Sequence, residues 1–186
     1  MLKTQKRNNR QREVEGGENV KKSLYFAYGS NMNLDQMDFR CPAAKAIGVV
    51  RLEDYRLAFC GKAPGCGVAT ILPEEGSYVE GVLWEITPEC ERSLDRYEGY
   101  PHLYGKEMVC VKNKDGIETE VMVYTMNPPY KEHPSRPSRL YLDGIVEGCR
   151  QNGIRLGAVR EAVKRTRAEE KAGKPAAGSR KKYRER

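Results

Sequence analysis

Ser23-Leu-Tyr-Phe-Ala-Tyr28-Gly29-Ser30-Asn31-Met32 decides how the rest of the chain is read. An apolar and aromatic run ends abruptly in Gly29, Ser30 and Asn31, the pattern of a buried strand that stops in a polar turn. Asn33 then suits a helix N-cap, with Gln36 three residues later completing the capping pattern, so a short helix over 34–39 is expected. A strand, a small-residue turn and a helix start gather free backbone N–H groups at one point, which suits a carboxylate or phosphate. The same residues also suit plain turn chemistry, and the stretch by itself leaves both readings open.

Working outward, 186 residues fit one domain with tails. No run of eighteen apolar residues is present, so no membrane-spanning helix is expected. The first ten residues are basic but lack an apolar segment behind them, which is not the pattern of a signal peptide. The net charge of +7 belongs to the ends. Residues 1–22 carry 7 Lys/Arg against 3 Asp/Glu, residues 160–186 carry 11 against 4, and residues 23–159 carry 15 against 19. A mildly acidic core argues against a nucleic-acid groove through it, and leaves only weak contact through the basic tails.

The six cysteines (41, 60, 66, 90, 110 and 149) form no C-x-x-C pair and have only two histidines to join them. Neither a metal site nor a redox motif is expected; buried or idle thiols in a reducing cytosol are.

Residues 1–22 read as a disordered arm. Ala46–Phe59 suits a long, bent strand pair, Gly61–Gly67 a loop, and Val68–Leu72 and Tyr78–Ile86 two strands joined by Pro73-Glu-Glu-Gly76. Thr87-Pro88 opens a helix with Glu89 and Glu91 in its first turn, and Gly99 closes it. Tyr104–Lys112 and Glu118–Met126 form a hairpin around Asn113-Lys-Asp-Gly116. Asn127–Pro137, with four prolines, reads as an ordered loop or lid; Ser138–Gln151 and 156–171 read as helices, and Ala172–Arg186 as a basic tail.

Glu98 falls at the C-terminal end of its helix, where the dipole disfavours an anion by about 0.3–1 kcal/mol. That alone shifts a carboxyl little, whereas burial shifts it far more. On position alone Glu98 is either a surface carboxylate or a general base tuned toward neutrality. Tyr28, Tyr104 and Tyr141 are either core residues or groups around a polar substrate. His102 and His133 lie beside prolines in loops and read as surface residues. No Ser-His-Asp set, G-x-S-x-G or P-loop is present.

The succession Tyr25-Phe-Ala-Tyr-Gly-Ser-Asn31, Val68-Ala-Thr-Ile71, Glu80-Gly-Val-Leu-Trp84, Ser93-Leu-Asp-Arg-Tyr-Glu-Gly99 and Pro137-Ser-Arg-Leu-Tyr141 resembles the gamma-glutamylcyclotransferase family. The likeness spans about residues 23–155 and omits an arm at 1–22 and a charged helix with basic tail at 156–186. It implies a mixed α/β (α+β) fold, a small barrel-like, mostly antiparallel sheet flanked by helices. It also implies intramolecular aminolysis, in which a free γ-glutamyl α-amine attacks its own side-chain amide to give 5-oxoproline and a free amine or amino acid.

By the same resemblance Glu98 is the catalytic acid/base. Tyr28, Gly29, Ser30 and Asn31 hold the γ-glutamyl head group, Tyr104 and Tyr141 contact substrate, and neither cofactor nor metal is required. The implied partner is a small γ-glutamyl molecule in the cytoplasm; the leaving group, its place in glutathione metabolism and the oligomeric state stay open. The competing expectation is a non-catalytic γ-glutamyl-binding module whose basic tails meet an acidic partner.

Overall fold

Ser23–Ala27 forms strand β1, and its residues Tyr25, Phe26 and Ala27 are all buried. Unbroken burial, in place of alternation, marks a strand covered on both faces. The computed structural model describes residues 21–173, so the expectations for 1–20 and 174–186 lie outside the described residues. After β1 come α1 (Leu34–Arg40), β2 (Lys45–Cys60), β3 (Val68–Ile86), α2 (Pro88–Glu98), β4 (Tyr104–Asn113), β5 (Glu118–Met126), α3 (Arg139–Gln151) and α4 (Gly157–Ala172).

The strands close into a barrel in the order β1-β3-β2-β4-β5. Neighbours run antiparallel except β1 and β5, which meet in parallel with Tyr25 opposite Met122. This is the mixed α/β fold with a small, mostly antiparallel barrel that the sequence led us to expect. Phe26, Phe59, Val111 and Val121 are fully buried among the strands, and Met37, Leu94 and Ile145 bring α1, α2 and α3 into the same core. Each such side chain contributes about 1.5–3 kcal/mol on burial.

Two expectations about strands are corrected. Lys45–Cys60 is one strand, and so is Val68–Ile86. The segment Pro73–Gly76 does turn, with Gly76 at φ 73°, but it does not divide the strand. Opposite it Asp54 adopts φ 60°, the register shifts between Glu53 and Tyr55, and Asp54 Oδ1 accepts the Gly76 N–H at 2.9 Å. The would-be turn is thereby stitched to its partner strand as a bulge, and the ladder continues on both sides.

The helix ends follow the local chemistry. Thr87 caps α2 by accepting from the Cys90 N–H, and Gly99 closes it at φ 64°. Asn33 and Ser138 cap α1 and α3 in the same way. The proline-rich loop contains a 3-10 turn at Tyr130–Glu132. Beyond that turn it threads between the two ends of loop 61–67: the Ser135 N–H donates to Phe59 O, and the Gly67 N–H donates to Arg136 O. A Cβ on residue 67 would lie 1.7 Å from Ser135 O, so only glycine allows this approach.

The helix expected beyond the domain packs on the barrel. α4 buries Val159, Ala162 and Thr166, and pairs Arg165 with Glu74, Glu169 with Arg56 and Glu170 with Arg136. The described chain therefore continues its fold through α4, past the boundary expected near 155.

Candidate active site

β1 delivers the chain into Tyr28 and Gly29, where a 3-10 turn at Ser30–Met32 leads to α1. The short turn presents its leading amides outward. Among the described residues, the N–H groups of Gly29, Ser30 and Asn31 meet no acceptor. α2 returns along the barrel and ends at Glu98, so its last carboxylate arrives beside this turn.

Between them lies a cavity of about 220 Å³. Its walls include all seven residues singled out from the sequence: Tyr28, Gly29, Ser30, Asn31, Glu98, Tyr104 and Tyr141. Tyr25, Tyr97, Tyr124, Val68, Ala69 and Leu103 complete it. Larger clefts of about 890 and 500 Å³ lie against α4, and neither includes Glu98 or the Gly29–Asn31 turn. His102 and His133 are exposed and outside the cavity wall. Among the described residues no three His, Cys, Asp or Glu side chains are grouped to hold a metal ion.

Among the described residues, Glu98 is the only carboxylate in that wall. Burial pushes its carboxyl up to about 7, opposed by the positive charge of Arg40 and by the hydrogen bond from Asn31. The group still has accessible surface because it looks into the cavity, while protein encloses it on the other sides. Asn31 Nδ2 donates to Glu98 Oε1 at 2.8 Å and to Tyr25 Oη at 2.9 Å. With Oε1 engaged, Oε2 is the atom open to proton exchange.

The tyrosines surround this carboxylate as neutral groups. Burial first, and then the charge on Glu98, hold the hydroxyls of Tyr25 and Tyr28 far above their ordinary range; burial does the same to Tyr104 and Tyr141. Tyr28 Oη donates to Tyr124 O at 2.6 Å, and Tyr104 Oη donates to Ala69 O at 2.5 Å. Tyr141 Oη accepts the Ala69 N–H at 3.1 Å, which leaves its own proton free to point at a ligand. Toward the cavity Tyr28 and Tyr104 can therefore only accept, whereas Tyr141 can donate.

Sequence reasoning missed Arg40, Tyr25, Tyr97 and Tyr124. Tyr25 had a readable signal, since it lies on the strand that leads into the turn. Tyr97 had one as well, as the neighbour of Glu98 in the Ser93–Gly99 stretch, whereas Tyr124 lies on a segment distant in sequence and carried none. Arg40 shares a helix face with Gln36 at a spacing of four, and nothing in that spacing points to Asn31.

A family model described as "Gamma-glutamyl cyclotransferase, AIG2-like" matches residues 25–143. The gamma-glutamylcyclotransferases of Bos taurus and of Homo sapiens are each 36% identical over 141 residues, covering 72% of this chain and 73% of the relative. A solved gamma-glutamyl cyclotransferase structure superposes with a TM-score of 0.66 at 30% identity, over 80% of this chain and 88% of that one.

Proposed function

The chain belongs to the gamma-glutamyl cyclotransferase family, and on that premise we propose how its cavity carries out the reaction and which product leaves. It is a cyclotransferase enzyme. The substrate is a small γ-glutamyl amide, and the products are 5-oxoproline and the free amine or amino acid that was joined to the γ-carbonyl.

The α-carboxylate of the γ-glutamyl group accepts hydrogen bonds from the N–H groups of Gly29, Ser30 and Asn31, the donors left open by the turn. Its α-ammonium then lies toward Glu98. Glu98 Oε2 takes one ammonium proton, and the freed amine attacks the γ-carbonyl carbon of the same molecule, forming the ring C–N bond. The Glu98 carboxylic acid returns that proton to the departing nitrogen as the amide C–N bond breaks. The second proton, shed by the ring nitrogen as it becomes the lactam N–H, passes by the same carboxylate to the released amine, which leaves as its ammonium. Charge and atoms balance without an added redox partner or second substrate. The Tyr141 hydroxyl is the side-chain donor placed to face the substrate oxygens.

The energetics suit so small a site. The nucleophile is tethered to its electrophile, so holding the chain curled supplies most of the entropic advantage. A base with a pKa near the operating pH contributes a further factor of about 10²–10⁴. An ordinary glutamate would be too weak a base, and the burial of Glu98 corrects this.

One arrangement carries the proposal: among the described residues, a single carboxylate, pushed up to about 7 by burial, lines a cavity of about 220 Å³ together with three backbone N–H groups that meet no acceptor. The six unpaired cysteines suit a reducing compartment, and we place the enzyme in the cytosol on that ground.

The test is 5-oxoproline release from a panel of γ-glutamyl amino acids and γ-glutamyl amines, with glutathione among them and the Glu98→Gln protein beside the wild type. Release that disappears with Glu98 is expected, and the ranking of substrates identifies the leaving group. A folded protein silent on the whole panel would overturn the proposal in favour of ligand binding alone.

A further inference from the structure

Arg40 closes α1, and its guanidinium is held from three segments of the chain. Nη1 donates to Asn31 Oδ1 at 2.5 Å, and Nη2 donates to Gln36 Oε1 at 2.7 Å. The plane lies over the Tyr97 ring of α2, 3.7 Å from its centroid, and Tyr97 Oη is 3.0 Å from Ser30 Oγ. From α2, Ser93 Oγ also donates to the Arg40 carbonyl at 2.8 Å. Both side-chain acceptors are neutral amide oxygens, so the guanidinium keeps its full charge.

That geometry decides which way the Asn31 amide faces. An arginine only donates, so the atom turned toward it must be Oδ1. Nδ2 is consequently turned the other way, onto Glu98 and Tyr25. A reversed amide would point its oxygen at the Glu98 carboxylate and its N–H₂ at a cation, both repulsive. The Asn31 carbonyl is held separately by Trp84 Nε1 at 3.1 Å, so the backbone beneath the amide stays in place whatever occupies residue 40.

We propose that Arg40 is a positioning residue for this site, locking the Asn31 amide so that it donates to Glu98 and setting a cation behind that carboxylate. The inference rests on the reaction assigned to the cavity, and the role is exerted through Asn31 because Arg40 is not part of the cavity wall. The groups that face Glu98 from the surrounding elements are Asn31 and Arg40, with the tyrosines 25, 28, 104, 124 and 141. The tyrosines are neutral, which leaves Arg40 as the charge that favours the ionised form of the base.

The experiment follows the Glu98 side-chain carboxyl by ¹³C NMR through a pH titration, its resonance assigned by loss in Glu98→Gln. Wild type, Arg40→Met and Arg40→Lys are compared, and kcat and KM are measured on the same samples. Arg40→Met should raise the Glu98 midpoint by about one pH unit and lower kcat about tenfold with a smaller change in KM. Arg40→Lys keeps the charge and loses the two-pronged grip, so its midpoint should lie nearer wild type while kcat still falls severalfold.

A folded Arg40→Met with an unmoved midpoint overturns the inference. Should Arg40→Met not fold, Arg40→Lys decides: kcat within twofold of wild type overturns it. Wild type without turnover would sink the assigned reaction separately, and the NMR comparison would still decide Arg40.

Discussion

Asn31 Nδ2 lies 2.8 Å from Glu98 Oε1, joining two residues 67 positions apart in sequence. The bond ties the turn that ends β1 to the last residue of α2, and so ties the amides proposed to hold the head group to the proposed base. Because Asn31 offers only a donor here, it stabilises the carboxylate and not the acid. Burial works in the opposite sense and is the larger influence. The balance leaves a carboxyl that can both take and return a proton near neutral pH.

The first consequence is a pH profile. Glu98 must be ionised to accept the substrate proton, and its carboxyl lies at about 7. kcat/KM should therefore fall about tenfold per unit as pH drops below that value. At high pH it should fall again when the substrate ammonium has already lost its proton and Glu98 has none to return. An acid limb near pH 4.5 would show that the carboxyl is not desolvated in solution.

Stability should depend on the same group with the opposite sign. The folded pKa of about 7 lies above the ordinary 4.5, so between those values the native state holds a proton that the unfolded chain has released. By linkage, Glu98 costs nothing below about pH 4.5, and its cost grows as pH rises to about 7 and then stays constant. Allowing for its contact with the open cavity, that cost is about 1–2 kcal/mol. Glu98→Gln keeps an oxygen for Asn31 and removes the charge. It should unfold at a higher temperature than wild type at pH 8 and at nearly the same temperature at pH 4.5. Equal differences at both pH values would contradict the desolvated carboxylate.

These properties were only partly legible in the sequence. Thr87-Pro88 and Gly99 bracket α2 by local capping chemistry, so the place of Glu98 along the helix could be read directly. Its burial could not, because the tyrosines that enclose it come from β1, β4, β5 and α3. Pro73–Gly76 shows the converse: the local signal for a turn was sound, and Asp54 on the neighbouring strand absorbed the turn into a ladder. Arg40 was illegible for the same reason as the burial, since its contacts with Asn31 and Tyr97 exist only once α1 packs against α2.

Gly29→Val should weaken substrate binding. Gly29 sits at φ −116°, outside the left-handed region, so backbone strain is not what bars valine. Space is the reason instead. A Cβ at residue 29 would lie 3.2 Å from the Ala69 Cβ and 3.5 Å from Tyr141 Oη, and the γ-methyls of valine would reach further into that wall. KM should rise at least tenfold with little loss of stability, whereas Gly29→Ala should be milder because only the Cβ has to be accommodated. An unchanged KM in Gly29→Val would place the head group elsewhere.

α4 should matter more than the chain beyond it. Deleting 174–186 removes none of the described contacts and should leave turnover within twofold of the full chain. Deleting from 157 exposes the surfaces now covered by Val159 and Ala162 and removes the ion pairs that the helix makes with Glu74, Arg56 and Arg136. The loss should be roughly 3 kcal/mol, mostly from the apolar burial, since partly exposed ion pairs contribute little each. Turnover should fall as well, because Glu170 grips both the side chain and the N–H of Arg136, and Arg136 holds Gly67 just ahead of Val68 and Ala69 in the cavity wall. Thermal unfolding and 5-oxoproline release, measured on both truncations, separate the two effects. If the shorter chain unfolds at the same temperature and turns over at the same rate, α4 merely rests on the barrel, and the loops at 61–67 and 133–137 hold their shape unaided.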